Sequence, residues 1–334
     1  MQYVTTRSKE ITFSAKETLL EERSPDGGLF VPLNLPRLSD ERIEALSRRN
    51  FNQCMADVLN LLFETRLTSY DIDFATGRCP VRLVSLPHKI WLGETFHNLE
   101  GDFRRMVKNL YCRVSGLEDR EPTAWFRIAL RMGVLFGFFG KLMRKDAAGV
   151  RNPMDVAVIS GDFSSVMAAW YARKMGLPIG TIVLACNENS NPWELLHNGA
   201  LRANLTLLET KTPEADFLVP PQMERFIHGC GGEREVMRYL AACEEGRMYI
   251  PADSVFAAMK QGMKPAVVSQ PRVLSAVPNV YRTHDQLLHL TTALAYCGLM
   301  DHRSATGELR TSLILSEKDP ESSRIYLTGA QESQ

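Results

Sequence analysis

Short, continuously apolar segments alternate with helical segments in the second half of the sequence, and this alternation constrains the fold most. Residues 155–160 (DVAVIS) and 181–186 (TIVLAC) predict two strands that are buried on both faces. Residues 164–175 between them predict a helix. A strand–helix–strand unit predicts parallel pairing with a right-handed crossover. We therefore predict an α/β protein, with a third strand over residues 205–208.

The rest of the chain predicts further helices. Residues 1–80 predict a small helical unit, in which Ser39 caps one helix. The most apolar run, residues 133–140 (GVLFGFFG), is too short to span a bilayer and predicts a buried core helix. Its Gly133 and Gly137 fit a close helix contact. Four later helices are predicted, over residues 220–228, 233–243, 252–262 and 284–299.

Composition narrows the function classes. Lys and Arg number 39, as do Asp and Glu, so the net charge is zero and predicts no nucleic-acid or membrane partner. Seven cysteines without a C-x-x-C pair predict neither a zinc site nor a thioredoxin-like motif. With no apolar leader at the N-terminus, these features predict a reduced, cytoplasmic protein without a metal.

One loop can carry chemistry, namely Ser160, Gly161, Asp162, Phe163 and Ser164. It joins a predicted strand to a predicted helix, and ligands bind at such carboxyl ends of parallel strands. A glycine there lets the backbone approach a phosphate, whereas an aspartate would repel it. The alternative is structural, because Asp or Ser at this place can simply cap the following helix.

Several segments, in order along the chain, carry a family resemblance. They include residues 3–7 (YVTTR), 24–32 (SPDGGLFVP), 156–163 (VAVISGDF), 171–178 (YARKMGLP) and 196–199 (LHNG). The chain resembles threonine synthase, a fold-type II enzyme that uses pyridoxal phosphate (PLP). The resemblance implies a helical N-terminal segment and a Rossmann-like parallel-sheet domain of the tryptophan synthase β-like fold. It also implies a lyase that converts O-phosphohomoserine to threonine and phosphate, with the 160–164 loop as the cofactor's phosphate cradle.

The family's cofactor lysine is replaced. The matching segment is residues 96–105 (FHNLEGDFRR), which places Arg104 at the lysine position. A guanidinium stays protonated and does not form a Schiff base. Lys108 lies one helical turn later and is a weak substitute; the alternative is that these basic residues form a solvated face.

Three other departures accompany this replacement. Only residues 110–122 connect the lysine helix to the next family helix, which implies deletion of a second, small α/β domain and one wall of the cleft. Asp162 and Ser164 replace an asparagine and a glycine of the family's cradle. Ser316 is the residue that could meet the ring nitrogen of the cofactor. We therefore divide the chain into an N-terminal-like domain (1–80), a fold-type II-like domain (81–327) and a tail (328–334).

These departures predict a pseudoenzyme without covalent PLP and without an expected cofactor, acting as a scaffold, regulatory or binding protein. Its partner would be another copy of itself or a full-length threonine synthase-like chain. The alternative is an active PLP-dependent lyase, or another small-amino-acid enzyme, with a non-standard lysine. In a third hypothesis Arg104, beside a helix N-terminus, binds a small anionic amino acid or a phosphate. A pocket lined by Arg104, Ser160 and Gly161 would favour binding.

Overall fold

A computed structural model describes residues 1–77, 80–97 and 102–328 of the chain. The N-terminal segment contains three short strands as well as helices, namely β1 (Gln2–Thr5), β2 (Phe13–Ser14) and β3 (Phe30–Pro32). They form an antiparallel sheet in the order β2-β1-β3. The predicted helical unit therefore also contains a small sheet, whose strands of two to four residues are too short to show a period in the sequence.

Each α-helix of this segment begins at a side-chain cap, of which the sequence analysis predicted the one at Ser39. These helices are α1 (Ala15–Leu20), α2 (Asp40–Glu44), α3 (Phe51–Phe63) and α4 (Ser69–Ala75). The Ser39 hydroxyl accepts a hydrogen bond from the backbone N–H of Arg42, so it caps α2 as predicted. The Ser14 hydroxyl caps α1 in the same way, with Glu17 completing a reciprocal pair of hydrogen bonds.

A six-stranded mixed sheet forms the centre of the fold. The remaining strands are β4 (Arg82–Leu86), β5 (Ile90–Glu94), β6 (Met154–Ile159), β7 (Ile179–Cys186), β8 (Leu201–Arg202), β9 (Met248–Tyr249), β10 (Met263–Val267) and β11 (Ser312–Ser316). The sheet order is β10-β7-β6-β11-β5-β4, and every pair is parallel except β4 with β5. The predicted α/β class with parallel pairing is confirmed.

The strand predicted over residues 205–208 is absent. The leucine side chains at 205, 207 and 208 are exposed, and the backbone N–H of Leu208 donates to the Asn189 side chain instead of to a strand. A short apolar run does not itself reveal whether a neighbouring strand is available for pairing. The nearby strand β8 is only two residues long and pairs with β9.

Helices cover both faces of the sheet. They are α5 (Phe103–Ser115), α6 (Ala124–Arg144), α7 (Ser164–Lys174), α8 (Asn191–Asn198), α9 (Met223–Glu244), α10 (Asp253–Lys260), α11 (Gln270–His284), α12 (Leu290–Thr306) and α13 (Ile325–Thr328). The predicted helices 220–228 and 233–243 are one kinked element, α9, in which Gly232 has a φ of +74°. One hydrophobic core packs α3, α6 and α7 on one face of the sheet, and a second packs α11 and α12 on the other.

Helix α6 is the central core helix that the apolar run predicted. A Cβ at Gly137 would lie 2.5 Å from the Phe51 ring, and one at Gly133 would lie 3.3 Å from the Met55 Cα. The two glycines therefore let α3 approach α6 closely, as predicted. Among the described residues, no helix is both long and apolar enough to cross a membrane.

Candidate functional site

A cavity of about 890 Å³ opens at the carboxyl ends of β6 and β11. The first turns of α5 form one side of it, and residues 213–217 form another. This is the edge at which parallel sheets bind ligands. The cavity brings together five residues that the sequence singled out, namely Arg104, Lys108, Ser160, Gly161 and Asp162.

The other predicted residues do not line the cavity. Phe163 and Ser164 are buried at the start of α7, and the Phe163 ring packs near that of Phe226. The Ser316 hydroxyl lies 3.0 Å from the Thr292 hydroxyl, on the α12 side of the sheet. Phe163 therefore packs in the core, and the Ser316 hydroxyl is hydrogen-bonded to α12.

Asp162 forms hydrogen bonds within its own loop. Its carboxylate accepts one from the backbone N–H of Ser164 at 2.9 Å and one from the Ser164 hydroxyl at 2.8 Å. The N–H at the start of α7 is therefore used internally. Of the two capping residues that the sequence offered, Asp162 is the one that satisfies this helix terminus.

Gly161 is held in a tight turn beside the cavity. Its φ is +44°, and a Cβ would lie 3.0 Å from the carbonyl oxygen of Glu214. The residue must therefore be glycine for both conformational and steric reasons. The loop is packed against the 213–217 segment at this point.

The loop and the start of α5 do not fit PLP, the cofactor that the resemblance implies. A cofactor phosphate would meet the Asp162 carboxylate, which already occupies the N–H of Ser164 and would repel a second anion. The lysine position of the resemblance holds Arg104, and residues 98–101 of the matched segment lie outside the described residues. We therefore derive no reaction step through PLP.

The basic residues of α5 form a solvated rim. Asp102 caps the helix, because its carboxylate accepts a hydrogen bond from the backbone N–H of Arg104 at 2.8 Å. The Arg104 side chain is 81% exposed, with its Nε 3.8 Å from Asp102. Lys108 is also exposed. Both side chains can therefore reach into the cavity or into solvent.

An ion pair missed by the sequence reasoning forms the inner wall. The Arg131 guanidinium of α6 donates two hydrogen bonds of 2.7 Å to the Glu317 carboxylate and lies over the Phe103 ring at 5.0 Å. Burial alone would lower the pKa of Arg131, but the Glu317 charge raises it overall. The geometry is the bidentate one that arginine favours with carboxylates.

A second missed pair crosses the cavity. The Lys318 ammonium contacts the Glu214 carboxylate, which joins the end of β11 to the 213–217 segment. Burial would raise the pKa of Glu214, but its hydrogen bond to Lys318 lowers it overall. Lys318 is thus an amine inside the cavity that the sequence reasoning did not consider. Lys318 lies two residues after the end of β11, at the carboxyl edge where parallel sheets bind ligands.

Two solved structures share this fold. PLP-bound threonine synthase from Brucella melitensis superposes with a TM-score of 0.86 at 17% identity, over 99% of this chain and 91% of that one. Threonine synthase from yeast gives a TM-score of 0.84 at 16% identity, over 100% of this chain and 90% of that one. The chain therefore has the fold of the fold-type II PLP enzymes.

Sequence comparison shows similarity to threonine synthases over parts of the chain. The family model described as Threonine synthase N terminus matches residues 2–79. Threonine synthase from Pseudomonas aeruginosa is 26% identical over 219 residues, which are 61% of this chain and 45% of that protein. Human threonine synthase-like 1 is 27% identical over 148 residues, 43% of this chain and 20% of that protein. Over these stretches the chain is similar to threonine synthases and threonine synthase-like proteins, and it spans less than half the length of these curated relatives.

Proposed function

We propose that this chain is a non-catalytic member of its family that keeps the cleft and binds a small anionic, amino-acid-like ligand without a covalent cofactor. The observation that carries the proposal is the internal use of Asp162, whose carboxylate bonds Ser164 at the place where a phosphate would bind. The loss of the lysine at Arg104 supports the same conclusion. A role in regulation or as a scaffold would then depend on ligand binding.

The charge pattern of the cavity supports an anionic or zwitterionic ligand. Arg104 and Lys108 form a cationic rim, whereas Asp162 brings a carboxylate to the inner end. An amino acid with an anionic side group could place its acidic groups at the rim and its ammonium near Asp162. In this proposal the cleft is open on the side where the resemblance implies a deleted small domain. A second copy of the chain or a longer relative could cover that side.

The first experiment tests for covalent PLP. The full chain is mixed with PLP, reduced with borohydride, dialysed and examined by absorbance and peptide mass spectrometry. We expect that no cofactor is retained and that no lysine is modified to the extent of one PLP per chain. A stoichiometric adduct on Lys318 or Lys108, both of which line the cavity, would overturn the proposal and favour an active lyase.

The second experiment tests binding directly. Isothermal titration calorimetry should detect binding of O-phosphohomoserine and of inorganic phosphate. O-phosphohomoserine should be bound without release of its phosphate. Arg104→Gln together with Lys108→Gln should weaken binding at least tenfold, whereas Lys16→Gln, an exposed lysine on α1, should leave it unchanged. Binding that is absent, or that survives the double substitution, contradicts the ligand part of the proposal.

A further inference from the structure

A cluster of three possible metal ligands lies at the edge of the sheet opposite to the cleft. Asp155 is the second residue of β6, His302 lies near the end of α12, and Glu308 lies in the connection that leads to β11. One ligand atom from each of them falls within 4.8 Å of the other two. None of these three residues lines the cleft described above.

A buried histidine nitrogen points into this cluster. The His302 side chain is 5% exposed, and its Nε2 has no hydrogen-bond partner among the described residues. The nearest carboxylate oxygen, on Glu308, is 3.8 Å away, too far for a hydrogen bond. A buried polar atom left without a partner costs free energy, so its position calls for an explanation.

We propose that Asp155, His302 and Glu308 bind a divalent transition-metal ion of the Zn²⁺ class. One imidazole nitrogen and two carboxylate oxygens are suitable ligands for such an ion, with solvent completing the coordination. Four-coordinate zinc holds its ligand atoms about 3.4 Å apart, given metal–ligand distances of about 2.1 Å. The ligand atoms, which lie within 4.8 Å of one another, must therefore approach by at most about 1.4 Å. His302 Nε2 and Glu308 Oε2, 3.8 Å apart, need only about 0.4 Å, which the 42% exposed Glu308 side chain allows, whereas the buried Asp155 and His302 must shift slightly themselves.

Arg310 bridges the two carboxylates of this cluster. Its Nη1 lies 3.0 Å from Asp155 Oδ1, and its Nη2 lies 3.3 Å from Glu308 Oε2. The guanidinium therefore holds the same two carboxylates in convergent positions, although it leaves the histidine unpaired. Its side chain is 32% exposed, so it can turn outward when a metal ion replaces it.

The surroundings of His302 and Asp155 leave one ligand atom free and hold the other in place. The His302 Nε2 has no hydrogen-bond partner among the described residues, so this nitrogen is available to a ligand. Asp155 also accepts a hydrogen bond of 2.8 Å from the backbone N–H of Thr181, which fixes the carboxylate at the start of the sheet. Such support from surrounding groups is typical of metal ligands.

Metal binding to the full chain is measured with Zn²⁺ by equilibrium dialysis and with Co²⁺ by visible absorbance. We expect one equivalent of each, with cobalt bands of nitrogen and oxygen ligation and without the intense thiolate bands that a cysteine site would give. Metal that is not bound, or cobalt bound through thiolates alone, overturns the proposal.

Substitutions locate the site. His302→Gln and Glu308→Gln should each weaken Zn²⁺ binding at least tenfold, and the half-exposed Glu308 keeps the test valid if the buried substitution disturbs folding. Arg310→Gln should tighten binding severalfold, because it removes the competing cation. His284→Gln, at an exposed histidine on α11, is the matched control and should change nothing. Unchanged affinity in the Glu308 variant, or weaker affinity in the Arg310 variant, contradicts the assignment.

Discussion

The carboxylate of Asp162 accepts two hydrogen bonds from Ser164, one from its backbone N–H and one from its hydroxyl, at 2.9 and 2.8 Å. These two hydrogen bonds cap the start of α7, and the Asp162 carboxylate places a negative charge at the carboxyl end of β6. Helix N-termini favour anions in general, so this helix has its anion supplied by the chain itself. An external phosphate therefore competes with a side chain that is already in place.

Asp162→Asn should convert this loop into a better phosphate site. Asparagine can keep a hydrogen bond to Ser164 while removing the charge, and it caps helices as well as aspartate does. We expect the affinity for inorganic phosphate to rise at least tenfold, and the free energy of unfolding to change by less than about 1 kcal/mol. Calorimetric titration checks the first result and urea unfolding the second. Asp253→Asn, at an exposed position in the first turn of α10, should alter neither.

A lysine at position 104 should not by itself be enough for covalent binding of PLP. Arg104→Lys places an amine on a side chain that is now 81% exposed, so we expect its effect on the free energy of unfolding to stay within about 0.5 kcal/mol. Borohydride reduction with PLP should give little adduct in this variant and more in Arg104→Lys with Asp162→Asn. Peptide mass spectrometry locates the adduct. Equal labelling in both variants would show that Asp162 does not oppose the phosphate.

The pair formed by Arg131 and Glu317 should contribute to stability, because one partner left alone would be poorly solvated. Glu317→Ala should lower the free energy of unfolding by about 3 kcal/mol, as expected for an unpaired, largely buried charge. Glu321→Ala removes a pair with Arg324 on the surface and should cost less than about 1 kcal/mol. Urea unfolding at neutral pH measures both. Similar losses in the two variants would contradict this account of the inner wall.

The pair formed by Lys318 and Glu214 predicts a dependence of stability on pH. The pKa of Glu214 is lower in the folded chain than its ordinary value, which is about 4.3. Its contribution is therefore present above that value and is lost as the pH falls through the lower, folded pKa. Glu214→Gln should reduce the free energy of unfolding at pH 7 and have a smaller effect at pH 3.5. An equal effect at both pH values would argue against the ion pair.

The sequence allowed prediction of those parts of the site that are local. Strand β6, the loop after it and helix α7 follow one another in the chain, so strand pattern and capping rules placed Ser160, Gly161 and Asp162 at one edge of the sheet. The wall residues could not be found in this way. Glu214 and Lys318 are 104 residues apart, and their contact depends on how β11 lies beside β6.

The same distinction explains the errors in the predicted fold. Continuous apolar runs of six residues, as in β6 and β7, indicate strands because such strands are buried on both faces. The run at 205–208 has similar residues, but pairing depends on a neighbouring strand that the local sequence does not specify. The error at 205–208 therefore does not come from misreading the hydrophobic period. It comes from tertiary contacts, which the local sequence does not contain.

The close packing of α6 against the 46–63 segment gives a final prediction that needs no ligand. Alanine favours a helix over glycine by about 1 kcal/mol, so Gly→Ala should stabilise α6 wherever space allows. At Gly133 the nearest atom to a new Cβ is the Met55 Cα at 3.3 Å, which requires only a small adjustment. At Gly140 the Cβ would meet the carbonyl oxygen of Leu46 at 2.8 Å, and a backbone atom cannot move aside as a side chain can.

We therefore expect Gly140→Ala to lower the free energy of unfolding by about 1–3 kcal/mol, the usual cost of overpacking, despite the gain in helix propensity. Gly133→Ala should change it by less than about 1 kcal/mol in either direction, which makes it the matched control. Urea unfolding followed by circular dichroism measures both variants. If Gly140→Ala were as stable as the parent chain, the close approach of α6 to the backbone at Leu46 would be wrong. The order of the two variants thus tests the packing of the core independently of the cleft.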